Sequence, residues 1–162
     1  MTHKFFILFL LGLFFSPLFS QNLSVIKITD LDTRLKNGGD TLFIVNFWAT
    51  WCAPCVKEIP DFIKAEEAFR AKGQKVKLLL VSLDDVEDKE LVADFKAERE
   101  IRQEILLLNE SNANYWIPFI EETWEGAIPV SLFWQKSSNF REFVGTSMHF
   151  EEVEAVVRKA VK

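Results

Sequence analysis

The stretch Val45-Asn-Phe-Trp-Ala-Thr-Trp-Cys-Ala-Pro-Cys55 places two cysteines, three positions apart, between an apolar strand pattern and the start of a helix pattern. Cys52 and Cys55 are the only cysteines of the 162-residue chain. A disulfide between such close residues closes a very short loop and stabilises a fold little, so a purely structural bridge is a poor explanation. A zinc site needs about four ligands, and the chain adds only His3 and His149, which leaves zinc an unfavoured alternative. The pair indicates reversible thiol chemistry.

The first twenty residues have the pattern of a secretory signal peptide. Lys4 precedes the apolar run 5–15, and the small residue Ser20 closes the segment. The run is shorter than the roughly 20 apolar residues that span a bilayer, so we expect cleavage before Gln21 to remove residues 1–20. An uncleaved membrane anchor is the alternative. No cysteine lies near Ser20, which excludes a lipid-modified amino terminus and leaves export of the chain as the expectation.

The remaining residues 21–162 are enough for one domain with a sizeable core. They carry 18 basic and 24 acidic residues, so the predicted mature chain is acidic. An acidic protein is a poor candidate for binding nucleic acid or an anionic membrane surface, and we expect neither as a partner.

Hydrophobic periodicity predicts alternating strands and helices. The runs 42–48 and 76–83 are almost continuously apolar, as in strands that are covered on both faces. A short polar turn joins the last two predicted strands, and its length predicts an antiparallel hairpin. The predicted strands are 24–28, 42–48, 76–83, 104–108, 130–134 and 140–144; the predicted helices are 31–36, 54–72, 88–99, 112–124 and a closing helix that includes 153–161.

Two motifs carry a resemblance to a known family. The stretch Val45–Cys55, continued by Val56-Lys-Glu-Ile-Pro60, resembles the active-site segment of the TlpA/ResA-like family of exported, thioredoxin-like thiol-disulfide oxidoreductases. Gly126-Ala-Ile-Pro129 is similar to that family's cis-proline loop. The resemblance implies an α/β thioredoxin fold with a central mixed sheet flanked by helices and a short strand-helix insertion before the cis-proline strand. Residues 21–162 would form this single domain, in the bacterial periplasm or cell envelope.

The two cysteines are expected to have different roles. A thiolate at the first turn of a helix is favoured by unpaired backbone N–H groups and by the helix dipole, and Cys52 occupies that position. Cys52 would attack a substrate disulfide, and Cys55, further into the helix, would resolve the mixed disulfide. The dipeptide Ala53-Pro54 adds no donor to the thiolate, which favours a reductant or an exchanger of intermediate potential.

The proton of Cys55 needs an acceptor. Asn46 stands where thioredoxin has a buried aspartate, and an amide cannot take a proton. Glu58, three residues after Cys55, matches the glutamate that ResA-like proteins place beside their dithiol, and we assign it to the catalytic site. The alternative is an ordinary solvated glutamate on the helix surface.

Substrate binding is expected around the dithiol. Trp51 should lie on the surface as part of the docking patch, whereas Trp48 should pack beneath the helix. Ala53 and Pro54 separate the cysteines. If Pro129 is cis, as the resemblance implies, it faces the dithiol and leaves the backbone of Ile128 free to pair with a substrate peptide.

The insertion, residues 103–125, is rich in aromatic residues. We expect Trp116 and Phe119 to belong to the core, because aromatics at helical spacing usually do. Trp124 lies shortly before the proline loop and could border the active-site groove.

The pair Asp84-Asp85 ends a predicted central strand. Two adjacent carboxylates are compatible with a metal site or acid–base chemistry. Capping of the following helix is the favoured interpretation, and no metal ligand is assigned.

The expected function is that of an exported thiol-disulfide oxidoreductase that reduces or exchanges disulfides of envelope proteins, with apocytochrome c among the candidate substrates. It would need no bound cofactor, act as a monomer and receive electrons from a membrane donor. A disulfide-forming oxidase is one alternative. A copper-handling module of the same fold is another, although such modules resemble this chain less because they use CxxxC spacing and a nearby histidine.

Overall fold

The computed structural model describes residues 23–161, so the predicted signal peptide lies outside the described residues. The strands are β1 (Ser24–Ile26), β2 (Leu42–Trp48), β3 (Val76–Ser82), β4 (Glu104–Leu108), β5 (Val130–Gln135) and β6 (Phe140–Val144). The helices are α1 (Ile28–Lys36), α2 (Ala53–Arg70), α3 (Lys89–Glu98), α4 (Ala113–Ile120) and α5 (Phe150–Ala160), and a short 3-10 turn, Val86–Asp88, precedes α3.

The strands form one mixed sheet in the order β1-β4-β3-β2-β5-β6. Strands β1 to β4 are parallel to their neighbours, while β5 pairs antiparallel with β2 and β6 pairs antiparallel with β5. The central strand β2 is therefore hydrogen-bonded on both sides, to β3 and to β5. The predicted α/β architecture, with a mixed sheet flanked by helices and a terminal hairpin, is confirmed.

Alternation along β2 divides the core into two layers. Leu42, Ile44 and Trp48 pack on the face covered by α2, α3 and α5, and Phe43 and Phe47 pack on the opposite face with α1 and α4. Every residue of β2 is buried. The buried strand β2 therefore positions the segment that follows it, which carries the two cysteines.

Helix α1 begins earlier than the pattern indicated. The side chain of Asp30 accepts a hydrogen bond from the backbone N–H of Lys27, at 2.9 Å, and this contact starts the helix at Ile28. Strand β1 therefore ends at Ile26, two residues before the predicted boundary.

The insertion contains β4 and α4, but α4 is shorter than predicted and ends at Ile120. Trp116 is buried, as expected. The prediction that Phe119 belongs to the core is wrong, because its side chain is 42% exposed. Trp116 and Ile120 occupy the inward face of this two-turn helix, which turns Phe119 outward against Tyr115, with 5.6 Å between the ring centroids.

Within residues 23–161, none of the helices combines the length and apolar character required to cross a bilayer.

An ion pair fixes α1 to the sheet. The guanidinium of Arg34 donates two hydrogen bonds to the carboxylate of Glu104 in β4, at 2.6 and 2.7 Å, and the ammonium of Lys77 lies 3.0 Å from the same carboxylate. The hydrogen bonds from Arg34, and with a smaller effect the hydrogen bond and charge of Lys77, lower the pKa of Glu104 from 4.5 to about 2. Because the folded-state pKa is depressed, the ionised group stabilises the fold above about pH 4.5, and this contribution disappears as the pH falls towards 2.

Replacement of Glu104 by glutamine should therefore lower the free energy of unfolding at pH 7 by about 1 kcal/mol, a small value because the pair is partly exposed. The variant should also lose part of the pH dependence between 4.5 and 2, measured by urea denaturation. Glu98→Gln, at an exposed position of α3, is the control. Identical pH profiles for Glu104→Gln and the wild type would contradict the assignment.

Candidate active site

Cys52 and Cys55 form a disulfide at the start of α2, with 5.3 Å between their Cα atoms. Cys52 is the N-cap residue of the helix, and Pro54 lies in the first turn. The cysteines differ in access, since Cys52 is 6% exposed and Cys55 is fully buried. This order fits attack by Cys52 and resolution by Cys55, because an attacking sulfur must reach its partner.

The proline loop faces the disulfide. The peptide bond between Ile128 and Pro129 is cis, as the resemblance implied. The sulfur of Cys52 lies 4.0 Å from the carbonyl oxygen of Ile128. The backbone of Ile128 therefore lies beside the more accessible cysteine.

Trp124 contacts the proline loop from the core layer opposite α2. Its indole Nε1 donates a hydrogen bond to the carbonyl oxygen of Ala127, at 2.8 Å, and its ring lies 5.3 Å from that of Phe47. Trp124 is 7% exposed and belongs to the core layer opposite α2. It holds the loop in place, rather than offering a face to a groove.

The surface around the cysteines includes one large apolar side chain. Trp51 is 70% exposed, as expected, and Ala53 and Pro54 are exposed on the helix that follows. Trp48 is fully buried in the same core layer as the cysteines, with its ring 4.8 Å from that of Phe95. The roles of these residues in substrate binding stay a prediction.

Glu58 is 3% exposed, which contradicts the alternative of a solvated glutamate. Its Oε1 accepts a hydrogen bond from Nδ2 of Asn46, at 2.8 Å. Its Oε2 accepts hydrogen bonds from Oγ of Ser147, at 2.7 Å, and from the backbone N–H of Met148, at 2.8 Å. Ser147 and Met148 belong to the loop between β6 and α5, residues 145–149, called here the β6–α5 loop.

The environment of Glu58 raises the pKa of its carboxyl. Burial raises the pKa of the carboxyl above its ordinary value, and the hydrogen bonds from Ser147, Met148 and Asn46 oppose part of that increase. The negative charge of Asp61, one turn further along α2, raises the pKa of Glu58 further. A glutamate tuned in this way can accept and release a proton closer to neutral pH than an exposed one.

The prediction that Asp84 and Asp85 cap the following helix is wrong: Asp84 has other partners, and within residues 23–161 the side chain of Asp85 makes no capping hydrogen bond. The carboxylate of Asp84 is buried and accepts hydrogen bonds from the backbone N–H of Thr50, at 3.0 Å, and from Oγ1 of Thr50, at 2.6 Å. A third donor is Oγ of Ser82, at 2.6 Å. Strands β2 and β3 are parallel neighbours, so the end of β3 meets the segment that leaves β2, and Asp84 bonds across to it.

This contact fixes the turn that presents the first cysteine. The backbone N–H of Cys52 donates to the carbonyl of Ala49, at 3.1 Å, which makes Thr50 and Trp51 the central residues of a turn. Asp84 therefore anchors the residue that precedes the exposed Trp51.

Comparison with known proteins assigns the chain to a family. Residues 17–134 match the model of the AhpC/TSA family, which is more than half of the chain. The chain belongs to the AhpC/TSA family. Membership of this family does not by itself assign an activity to the chain.

Relatives of this AhpC/TSA-family chain include thioredoxins and thiol-disulfide oxidoreductases. It is 42% identical to thioredoxin of Ictalurus punctatus over 75 residues, which are 44% of this chain and 68% of that protein. It is 34% identical to sporulation thiol-disulfide oxidoreductase A of Bacillus subtilis over 77 residues, 47% of this chain and 45% of that protein. It is 30% identical to ResA of Bacillus cereus over 78 residues, 46% of this chain and 43% of that protein. The chain thus matches less than half of each oxidoreductase.

Solved structures confirm the thioredoxin fold. A thiol:disulfide interchange protein of Chlorobium tepidum aligns with a TM-score of 0.62 at 21% identity, covering 81% of this chain and 85% of that one. StoA of Bacillus subtilis aligns with a TM-score of 0.55 at 24% identity, covering 74% and 84%. The predicted TlpA/ResA-like resemblance and the enzyme class agree with these relatives and with the disulfide-bonded pair.

Three partners of the AhpC/TSA-family site were not found from the sequence. Ser131, whose Oγ accepts a hydrogen bond from Nδ2 of Asn46 at 3.1 Å, had a readable signal, since it is a polar residue in the otherwise apolar start of a buried strand. Ser147 and Met148 had none, because they lie about 90 positions from Glu58 in the chain.

Replacement of Asp84 by asparagine should lower the free energy of unfolding of the oxidised protein by about 2 kcal/mol, because the buried donors of Thr50 and Ser82 lose a charged acceptor. Amide hydrogen exchange at Thr50 and Cys52 should become faster. Urea denaturation and exchange measured by NMR give the two readouts. Asp85→Asn, at the exposed neighbouring position, is the matched control, and equal effects of the two substitutions would refute the anchoring role.

Proposed function

We propose that this chain is an exported thiol-disulfide oxidoreductase that reduces or exchanges disulfides of proteins in the bacterial cell envelope. The observation that carries the proposal is the Cys52–Cys55 pair at the start of α2, with the sulfur of Cys52 4.0 Å from the carbonyl oxygen of Ile128 in the cis-proline loop. This arrangement places one sulfur beside the backbone of Ile128.

The reduced form would react with a substrate disulfide in two steps. The thiolate of Cys52 attacks one substrate sulfur, the substrate S–S bond breaks, and the first substrate thiolate leaves and takes a proton from water. A mixed disulfide then joins Cys52 to the substrate. Cys55 attacks the sulfur of Cys52, the internal disulfide forms and the second substrate thiolate leaves. Two electrons pass from the dithiol to the substrate.

Glu58 would accept the proton that Cys55 loses before it attacks. The two residues are one turn apart on α2, so both project from neighbouring positions of the same helix. Burial of Glu58 supports this role, because its raised pKa makes the carboxylate a stronger base than an exposed glutamate.

Substrate recognition would use backbone and apolar contacts. An extended segment around the substrate cysteine can pair with the backbone of Ile128 in the manner of an added strand. The exposed ring of Trp51 and the exposed Ala53 and Pro54 supply a surface that does not depend on one side-chain sequence. Such contacts suit an enzyme that accepts several envelope proteins, apocytochrome c among them.

The apolar run 5–15 supports export, by the same pattern that predicts the signal peptide. An oxidising compartment leaves the pair as a disulfide after each turnover, so a reductase there needs electrons from another protein. We propose a membrane thiol donor for this step, with the chain acting as a monomer and without a bound cofactor.

The two cysteines should respond differently to replacement. Cys55→Ser should still attack a disulfide-bonded substrate such as insulin and should accumulate a mixed disulfide through Cys52, because the resolving sulfur is missing. Cys52→Ser should neither turn over nor accumulate the adduct. Non-reducing electrophoresis and mass spectrometry measure the adducts, and equal trapping by the two variants would reverse or refute the assignment.

Glu58→Gln should slow the resolution of a preformed mixed disulfide about 10²-fold, which is the usual contribution of a positioned base. The rate of the wild type should fall as the pH is lowered through the raised pKa of Glu58, since the protonated carboxyl cannot accept the proton, and the variant should lack this decline. The thiol titration of the reduced protein should shift in the same variant. Stopped-flow measurement of single turnovers gives the rates.

Glu66→Gln is the matched control for this experiment. Glu66 is also a buried glutamate of α2, 2% exposed, and it accepts hydrogen bonds from the backbone N–H of Leu78 and from Gln103. It lies more than two turns beyond Glu58 on the helix. Equal slowing by both substitutions, or an unchanged rate in Glu58→Gln, would remove Glu58 from the reaction.

A further inference from the structure

Asn46 is a buried amide on the central strand β2, which is paired on both sides. It is fully buried, and its position in β2 is paired with Leu80 of β3 and Ser131 of β5. Its Nδ2 donates to Oε1 of Glu58, at 2.8 Å, and to Oγ of Ser131, at 3.1 Å. Within residues 23–161, its Oδ1 has no hydrogen-bond partner. The side chain is therefore held through its nitrogen alone.

The two oxygens of Glu58 are not equivalent acceptors. Oε2 receives the backbone N–H of Met148, at 2.8 Å, and a backbone N–H can only donate. Among the residues that the structure describes, Oε1 accepts a hydrogen bond only from the side-chain amide of Asn46, at 2.8 Å. A proton on Oε2 would compete with the backbone N–H of Met148, which can only donate. A proton on Oε1 faces the side-chain amide of Asn46, which can rotate. The geometry thus favours Oε1 as the protonated oxygen.

A carboxamide exchanges its donor and acceptor by rotation of half a turn about the Cβ–Cγ bond. After this rotation, Oδ1 of Asn46 would accept the new O–H of Glu58. Ser131 can follow, because a hydroxyl accepts from Nδ2 in one arrangement and donates to Oδ1 in the other. In each arrangement one atom of the amide is unpaired, so this cost largely cancels between the two states.

We propose that Asn46 is a positioning residue whose side-chain amide reverses, together with the hydroxyl of Ser131, when Glu58 takes up a proton at Oε1. The reversal keeps Glu58 hydrogen-bonded in both protonation states. It also leaves the contacts of Oε2 with Ser147 and Met148 intact, so the β6–α5 loop stays docked while the proton is held. The inference rests on the proposed function for its purpose, which is proton acceptance during resolution.

The groups around Glu58 support proton exchange at this carboxyl. On α2, Cys55 precedes it by one turn and Asp61 follows it by one turn. Asp61 in turn lies 3.6 Å from Nδ1 of His149 in the β6–α5 loop. The partners from β2 and β5, Asn46 and Ser131, are uncharged. Burial raises the pKa of Glu58, so protonation lies within reach of physiological pH more readily than for an exposed glutamate.

NMR of the whole protein, reduced and oxidised, tests the inference without any substrate. The Cδ resonance of Glu58 reports its protonation, and the Nδ2 protons of Asn46 report the amide. The Nδ2 resonances should shift with the same midpoint as Glu58, and their nuclear Overhauser contact with the Glu58 side chain should be present above the midpoint and lost below it. Retention of this contact through the whole titration would overturn the reversal.

Two internal controls accompany the titration. The side-chain amide of Gln103, which donates to Glu66 at 3.1 Å, serves as a second buried amide–carboxylate pair in the same spectra. It should keep its contact with Glu66 over the range in which Glu58 titrates. In Glu58→Gln, the pH-dependent shift of Asn46 should disappear, and its persistence would assign the shift to another group.

Asn46→Leu gives an independent measurement. A residue that only donates stabilises the charged carboxylate alone, so its loss would raise the proton affinity of Glu58 about tenfold or more. A reversible partner stabilises both states, so its loss should change this affinity less than about threefold. A tenfold change would therefore contradict reversal. If the amide reverses but Cys52 traps no substrate in Cys55→Ser, the proposed function fails and this inference stands. If the amide stays fixed and turnover is normal, this inference fails and the proposed function stands.

Discussion

Buried carboxylates must be hydrogen-bonded, and this constraint fixes the helix that carries the dithiol. The carboxylate of Glu58 accepts hydrogen bonds from residues of β2 and of the β6–α5 loop. Glu66, further along α2, accepts from the backbone of Leu78 in β3 and from Gln103 just before β4. Two carboxylates of one helix thus accept hydrogen bonds from different parts of the fold. Movement of α2 would leave at least one of them without donors, at a cost of about 1–3 kcal/mol for each unsatisfied group.

Asp84 is a third buried carboxylate, and its hydrogen bonds fix the segment that precedes the cysteines. It accepts hydrogen bonds from the backbone and side chain of Thr50, so a buried carboxylate also holds the turn before Cys52. From the opposite core layer, Trp124 holds the backbone of Ala127 in the proline loop. The sulfur of Cys52 and the carbonyl of Ile128 therefore lie on separately fixed supports. The site is therefore preformed, and in the proposed function the exposed ring of Trp51 would be an apolar contact surface for the substrate.

The sequence predicted those features that depend on local pattern. The apolar run of β2, the helical spacing of α2 and the position of Cys52 at its start follow from neighbouring residues, and Asn46 stood out as the one polar residue in that run. Contacts between distant segments could not be predicted, because nothing near Glu58 indicates that Ser147 approaches it. Asp84 was misjudged for the same reason, since Thr50 lies 34 positions away. The prediction for Phe119 failed because, in a two-turn helix, spacing does not tell whether Tyr115 and Phe119 or Trp116 and Ile120 face inward.

The central claim is that Cys52 and Cys55 are a reversible dithiol that passes electrons to substrate disulfides. The reduction potential of the pair tests it most directly, by equilibration of residues 21–162 with dithiothreitol and glutathione buffers and quantification of free thiols. The account predicts a reversible two-electron transition between about −230 and −270 mV, the range of reducing members of this fold. A value near about −120 mV, typical of a disulfide donor, or failure to form a reversible internal disulfide, would contradict it.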